Sequence, residues 1–557
     1  MSKIISGVKI LKNEGMRGIY QRILIKKKNK EAEQKRLQEF RKIHLISDQE
    51  REWEKEYVFC NPQKISILTP LYNTPKDYLI DLLNSLQKQT YSNWELCLAD
   101  GSDKDHEYVG KICRQYADKD SRILYQPLQD NKGISENTNA CLEFSSGAYI
   151  GLLDHDDVLH ESALFEVMRA IEKNGADFLY TDEVKFTDKI ENAVDFNLKP
   201  GFGKDELRSH NYICHFTVFS RELLNQAGGV YRAEFDGSQD HDMVLRLTEK
   251  AKKIVHVQKV LYYWRVHPES VSMNLDAKGY AVDAAIRAVS EQLERTGEYG
   301  TVESNLPYQT IYRVRYALKN KGKVAILIHH TDSEEQYDRV CKMIEERSSY
   351  KNYQTSRVCE KEGESFASAC NRAAKMQHDA EYLLFMDSHI LPVCESWIEE
   401  LMMFAQREDV CGVSPKVLYE NHTIAYAGIS VANCGDKVKF LEQNINDDEQ
   451  GYEAMLRHVR NTTSIWKGCC MLSKRSWENL NGFSEDMRGY EDVDISLRGR
   501  RCGLWNVWTC FSIVLYSKQN ITDFMEGDTN AFEKKWNESI VSGDEYCHPL
   551  LEKMGIL

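Results

Sequence analysis

The stretch Ser145-Ser146-Gly147-Ala148-Tyr149-Ile150-Gly151-Leu152-Leu153-Asp154-His155-Asp156-Asp157 decides how this chain is read. An apolar run of strand length ends in three carboxylates within four residues, which repel one another unless something cationic sits among them. A thinned version occurs further on, as Ala380-Glu381-Tyr382-Leu383-Leu384-Phe385-Met386-Asp387-Ser388-His389. Each version follows an asparagine at nearly the same distance, Asn139 in the first and Asn371 in the second.

A second pair of segments supports duplication. Asp240-His241-Asp242-Met243-Val244-Leu245-Arg246 and Asp492-Val493-Asp494-Ile495-Ser496-Leu497-Arg498 place Asp, Asp and Arg at the same offsets, each after a glycine-containing turn. The repeat is far longer than a solenoid unit of roughly 20–50 residues, so two whole domains stand in tandem. A chain of 557 residues has room for two units of about 230–250 residues.

Around these anchors the pattern is α/β. Ile65 to Pro70 reads as a β-branched strand, Pro75 to Gln87 has helical periodicity, and Trp94 to Asp100 is a second strand ending in an acid. Such alternation predicts parallel strands with crossover helices, whose ligands bind beyond the carboxyl ends of the strands. Asp100 and Asp154 therefore belong to one rim. The first domain is expected over 63–300 and the second over 320–545, joined by a short charged linker near Ala317 to Lys323.

The net charge of −14 hides an asymmetry: residues 1–42 carry thirteen Lys/Arg against four Glu, a surplus of nine that leaves −23 on the rest. An acidic body argues against nucleic acid as partner. In the basic end, Ile4, Ile5, Val8 and Leu11, then Met16, Ile19, Tyr20 and Ile23, recur at helical spacing between lysines and arginines. An amphipathic helical segment over 1–45 is predicted, with a linker over 46–62. It can lie on an anionic membrane surface, or pack as a helical hairpin on the body, or remain a solvated tail. Lys3, Lys9 and Lys12 interrupt any signal-peptide core, and no apolar run reaches the length of a membrane span. Sixteen cysteines without a C-x-x-C pair fit a reducing compartment, and the adjacent Cys469-Cys470 reads as two buried hydrophobes. A cytoplasmic protein, peripheral at the inner face of the cell membrane, is expected.

Clustered carboxylates at a strand end suit a hard divalent ion, Mn2+ or Mg2+, which bridges protein oxygens to a substrate's phosphates. An acidic turn capping the next helix accounts for one Asp but not for three.

Seven short motifs occur together and in order: Thr69-Pro70-Leu71-Tyr72-Asn73, Asp100, Asn131-Lys132-Gly133 with Asn139, Leu152 to Asp157, Tyr180-Thr181-Asp182-Glu183, Gly237-Ser238-Gln239-Asp240 and Trp264-Arg265-Val266-His267-Pro268. With these the chain resembles family 2 glycosyltransferases of the GT-A fold, in particular bacterial enzymes of O-antigen, capsule and rhamnose-rich polysaccharide synthesis. The resemblance covers 64–295, and the second half resembles the companion domain of tandem members. It implies that Pro70, Tyr72, Asn73, Asp100, Lys132, Asn139 and Asp154 bind the nucleotide sugar. It further implies that Asp154, Asp156 and His267 hold the metal, and that Asp240 is the base that takes the acceptor's proton in an inverting transfer. In the second copy Asp492 is the candidate base, and Asp387 and His389 are the candidate metal or donor ligands.

The implied partners are a nucleotide-diphosphate sugar, with dTDP-rhamnose or a UDP-sugar as donor candidates, a glycan or polyprenyl-linked acceptor, and an anionic membrane surface. A non-catalytic nucleotide-sugar-binding scaffold and a bifunctional enzyme adding two sugars are the alternatives. The chain has neither membrane spans nor a Q-x-x-R-W motif, which argues against a processive cellulose- or chitin-type synthase.

Overall fold

The computed structural model describes residues 43–267, 279–319, 321–432, 437–521 and 527–554. The predicted basic helix lies, up to residue 42, outside the described residues. The expected 46–62 linker contains a helix, Asp48–Glu56, started by a capping box in which Ser47 and Glu50 bond each other's backbone amides.

The first half is built on nine strands: β1 (Ile65–Leu71), β2 (Trp94–Asp100), β3 (Ile123–Pro127), β4 (Tyr149–Leu152), β5 (Val158–Leu159), β6 (Phe178–Phe186), β7 (Asp195–Asn197), β8 (Thr217–Ser220) and β9 (Ile254–Arg265). They run in the order β3-β2-β1-β4-β8-β6-β9-β5, with β7 beside β6. All residues of β1 and β2 are buried, as continuous apolar strands covered by helices on both faces should be. β1 pairs in parallel with β2 and β4, so their carboxyl ends share one edge, and β8 enters antiparallel between β4 and β6.

A hairpin of β10 (Gly300–Asn305) and β11 (Tyr308–Tyr316) follows the helix Gly279–Arg295. The sequence reading assigned no element to 301–316. The ladder is a brace between halves: Arg313 of β11 pairs with Glu400 of the second half at 2.6 Å, and the Tyr316 hydroxyl accepts from Arg208 of the first half at 2.8 Å.

The second half repeats the first. Its strands β12 (Val324–His329), β13 (Tyr353–Arg357), β14 (Tyr382–Asp387), β15 (Ile390–Pro392) and β16 (Val410–Tyr419), with Cys469–Ser473 and Trp505–Tyr516, run in the order β13-β12-β14-(469–473)-β16-(505–516)-β15. Parallel and antiparallel neighbours match the first sheet strand for strand, and β3 has no counterpart. The α/β class and the two tandem sheets thus agree with the sequence reading. Cys469 and Cys470 are fully buried in the strand that pairs with β14.

Local devices are duplicated too. Arg246 pairs with Asp242 at 2.9 Å and donates to the carbonyls of Ala227 and Gly229; Arg498 pairs with Asp494 at 2.8 Å and donates to those of Leu480 and Gly482. The repeated second Asp and the Arg are therefore a clamp on the glycine turn. Gly482 (φ 67°) lies so near that a Cβ there would come within 2.3 Å of the Asn371 amide oxygen.

Buried polar contacts join the halves. Asp205 of the first meets Arg407 and the Asn461 amide (3.0 Å) of the second, and Tyr452 bridges the Phe196 carbonyl and Leu198 amide. His548 reaches the buried Asp182 at 3.0 Å, opposite His256 at 2.9 Å. Among the described residues, no helix is long and apolar enough to cross a membrane.

Candidate active site

The rim expected from the parallel strands is present. Leu71 of β1 is level with Asp100 of β2, and continuing the register of β1 with β4 brings Pro70 beside Asp154. Pro70 is buried, while Tyr72 just beyond it is 46 % exposed. Asn73 takes a left-handed conformation (φ 51°) in which its amide gives a hydrogen bond to Asp103 (2.8 Å) and accepts one from the Asp103 backbone. Asp100 accepts from the Tyr125 hydroxyl (2.8 Å) and the Ser102 amide (2.9 Å), and is almost buried at the bottom of the rim.

The three neighbouring carboxylates have separate surroundings. Asp157 points inward: Tyr262 donates to it at 2.5 Å and the Arg265 amide at 2.7 Å, and burial pushes its carboxyl well up. The third acid is thus a buried anchor between the β4 turn and β9, but the expected repulsion is present: the charges of Asp156 and Asp154 add to the rise of Asp157, whose carboxylate lies within 4.8 Å of both Asp154 and the His215 imidazole. Asp154 and Asp156 stay partly accessible, each facing a histidine. His267 Nε2 lies 2.9 Å from Asp156, and His215 lies 3.4 Å from Asp154 and 3.3 Å from Glu183. Burial opposes charge on both His215 and Asp154, but their mutual attraction prevails, holding the imidazole well above its usual range and the carboxyl below its own. His215 also stacks on Tyr262, with centroids 4.7 Å apart.

Sequence reasoning missed His215. Nothing in the run Asn211-Tyr212-Ile213-Cys214-His215 marks it, and only the insertion of β8 beside β4 carries it to Asp154. It also missed the buried Lys199, which bonds Glu183 at 3.1 Å and the carbonyl of Ile213 at 2.6 Å.

Asp240 begins the helix Gln239–Lys250 and is partly exposed, held by the Asn211 amide at 3.0 Å. Near it, the phenol of Tyr231 is pushed up by burial and then by the charges of Asp240 and Asp154. Asn139, expected at the nucleotide, is corrected to a positioning residue. Its amide donates to the Tyr231 carbonyl (3.0 Å) and accepts from the Tyr231 amide (3.2 Å). Asn371 does the same for Phe483, at 2.9 and 3.0 Å, so the repeated asparagine is a brace in each copy. The Lys132 side chain is exposed on the approach to the helix Ile134–Glu143.

In the second copy, Asp492 is corrected as a base. Its burial, at 3 % exposed, keeps a substrate hydroxyl away, and its two oxygens accept from the amides of Lys467 (2.8 Å) and Val493 (3.0 Å). Burial raises its carboxyl. Asp387 is also buried and takes hydrogen bonds from two sides, at 2.8 Å each from His330 and His389.

The model of the family described as glycosyl transferase family 2 matches residues 66–228. An uncharacterised protein, y4gI, of Sinorhizobium fredii is 30 % identical over 479 residues, 81 % of this chain and 52 % of that protein. The O-antigen biosynthesis protein RfbC of Myxococcus xanthus is 30 % identical over 473 residues, 80 % of this chain and 36 % of its own length. The chain thus spans about half of the first relative and about a third of the second. A crystal structure of S. aureus TarS 1-349 in complex with UDP-GlcNAc is 19 % identical, covers 41 % of this chain and 66 % of its own, and has a TM-score of 0.35.

Proposed function

We propose, from the premise that residues 66–228 form a family 2 glycosyl transferase domain, that this chain moves a sugar from a nucleotide-diphosphate donor to a hydroxyl of a lipid-linked or growing surface polysaccharide. The configuration at the anomeric carbon is inverted. The observation that carries the reading is the rim itself: Asp154 and Asp156 stand partly exposed beyond the end of β4, each facing a histidine, and a partly exposed Asp240 is held by Asn211, four residues before the histidine that faces Asp154.

Asp240 takes the proton of the acceptor hydroxyl while that oxygen bonds the anomeric carbon. The bond from this carbon to the diphosphate breaks, and the leaving group keeps the electron pair. A carboxylate suits the task because it needs only to be ionised and within hydrogen-bond reach. Tyr72, Asn73 and Asp100 line the approach at the ends of β1 and β2, where the base and ribose would lie. Charged His215 behind Asp154 adds positive potential near the diphosphate.

Asp156 and His267, 2.9 Å apart, with Asp154 two residues before, would hold a divalent ion of the manganese or magnesium class, which when bound would neutralise charge developing on the departing diphosphate. The relative named for O-antigen biosynthesis supports a surface polysaccharide as product. A UDP-sugar or dTDP-rhamnose is the donor to try first. With Asp492 buried, the second half is read as an acceptor-positioning domain rather than a second transferase. The basic segment 1–42 is read as a tether to the anionic cytoplasmic leaflet, where each lysine or arginine near the surface contributes about 1 kcal/mol.

The test is nucleoside diphosphate release from a panel of UDP-, dTDP- and GDP-sugars with manganese and a polyprenyl-linked acceptor. Turnover with one donor that vanishes in Asp240→Asn is expected. Undiminished turnover in that variant would overturn the assignment of the base.

A further inference from the structure

The second copy keeps the strand-end acid but surrounds it differently. By sheet register, β12 places His329 opposite Asp387, at the level where β1 places Pro70. The strand Cys469–Ser473 pairs with β14 as β8 pairs with β4, and this register puts Gly468 at the level of His215. The histidine that faces the acid from the β8 side in the first copy is therefore absent from the second, and two histidines arrive instead from the end of β12.

Their ring nitrogens converge. His329 Nδ1 lies 2.9 Å from His330 Nδ1, which lies 2.8 Å from Asp387 Oδ2, and the remaining separation, His329 Nδ1 to Asp387 Oδ2, is 3.8 Å. His329 is buried, and its Nε2 lies 3.0 Å from the Lys467 carbonyl, an acceptor only. Nε2 must carry the proton, so Nδ1 presents a lone pair to the cluster. Asp387 Oδ2 is likewise an acceptor. Three potential donor atoms thus share a single proton, that of His330 Nδ1.

We propose that His329, His330 and Asp387 form a site for a borderline transition-metal ion of the zinc or cobalt class, distinct in donor type from the oxygen-rich centre at Asp154 and Asp156. A tetrahedral ion with ligands near 2.05 Å sets ligand pairs about 3.3 Å apart, and the three observed separations straddle that value. Imidazole nitrogen selects zinc, cobalt or nickel over magnesium. The other ring nitrogen of His329 on a backbone carbonyl is the outer-shell arrangement that fixes a metal-binding tautomer. Ser388 donates to the His330 carbonyl at 2.6 Å and accepts from Gln336 at 3.0 Å, which holds the turn in place. His389 occupies the other oxygen of Asp387, at 2.8 Å. The His330 side chain is 32 % exposed and stacks on Phe366, so the cluster opens to solvent and leaves a coordination position for an external ligand. Lys467, the nearby cation, is neutralised by its pair with Glu491.

The proposal does not depend on transferase activity, because its readout is metal binding by the full-length, tag-free chain. Zn2+ titrated by calorimetry is expected to fill one site that millimolar Mg2+ does not compete for, and that persists in Asp156→Ala. His330→Ala and His330→Gln should each weaken it at least tenfold while the far-UV circular dichroism stays unchanged. Co2+ should give a visible d–d absorption that both variants lose. Equal Zn2+ affinity in wild type and both variants, or a Co2+ spectrum indifferent to them, would overturn the site and leave the cluster a proton-sharing hydrogen-bond network.

Discussion

Of the adjacent acids Asp154, Asp156 and Asp157, the structure buries Asp157 as an anchor, whereas the proposed function places Asp156 at the reacting centre, and alanine substitution separates the two roles. Asp157→Ala removes the acceptor of two buried donors, the Tyr262 hydroxyl and the Arg265 amide. A buried donor left unpaired costs about 1–3 kcal/mol. Two such losses, reduced by rotation of the hydroxyl and entry of water, amount to roughly 2–4 kcal/mol. For a cooperative unit the size of one half this lowers Tm by roughly 5–12 °C. Asp156 and His267, each about a fifth exposed at 22 % and 20 %, form a solvent-screened pair. Such a pair contributes about 0–1 kcal/mol, so Asp156→Ala should leave Tm within about 2 °C of wild type. Its turnover should fall by roughly a hundredfold or more, as when a group facing developing charge is lost. Differential scanning fluorimetry paired with nucleoside diphosphate release reads both. An Asp157→Ala protein that melts normally yet is inactive, or an Asp156→Ala protein that melts early yet turns over, would refute the assignment.

Asn139→Ala should lower stability by about 1–3 kcal/mol through its two lost bonds to Tyr231, and denaturant titration should show Asn371→Ala doing the same in the second half. Asp492→Asn should leave donor turnover by the first domain intact while lowering the denaturation midpoint, whereas Asp240→Asn should do the reverse. His160, whose Nδ1 accepts from the Ser162 amide, is lowered by burial to about 4, so the unfolded chain binds its proton first as pH falls below 6.5. Stability should drop by about 1.4 kcal/mol per pH unit between 6.5 and 4, and His160→Asn should flatten that slope in a Tm-versus-pH series. Removing residues 1–42 should abolish sedimentation with anionic vesicles at low salt without changing turnover on a soluble acceptor; full-length protein that ignores such vesicles would end the tether reading.

The sequence by itself determined what depends on short-range pattern. The α/β alternation, the duplication and the acid-bearing strand ends follow from periodicity and repeated spacing, and parallel pairing then dictates that Asp100 and Asp154 share a rim. Asp156, His267 and Asp240 stood out in the sequence because they stand in motifs at strand or helix ends, and the structure shows Asp156 and His267 paired. What a side chain faces was not legible, because that depends on elements distant in the chain. Asp154, Asp156 and Asp157 look alike in sequence, yet the closing of β9 against the β4 turn buries one of them and leaves two accessible. The resemblance implied a ligand role for Asn139, and the repeat carried the base role to Asp492, but their polar atoms meet backbone amides and carbonyls that only the tertiary fold delivers. His215, 61 residues beyond Asp154 in sequence, and the pair His329 and His330, 57 or more before Asp387, meet their acids through sheet register alone. Spacing specifies strands and turns, whereas the solvation and charge of a group at their ends are set by neighbours brought from across the sheet.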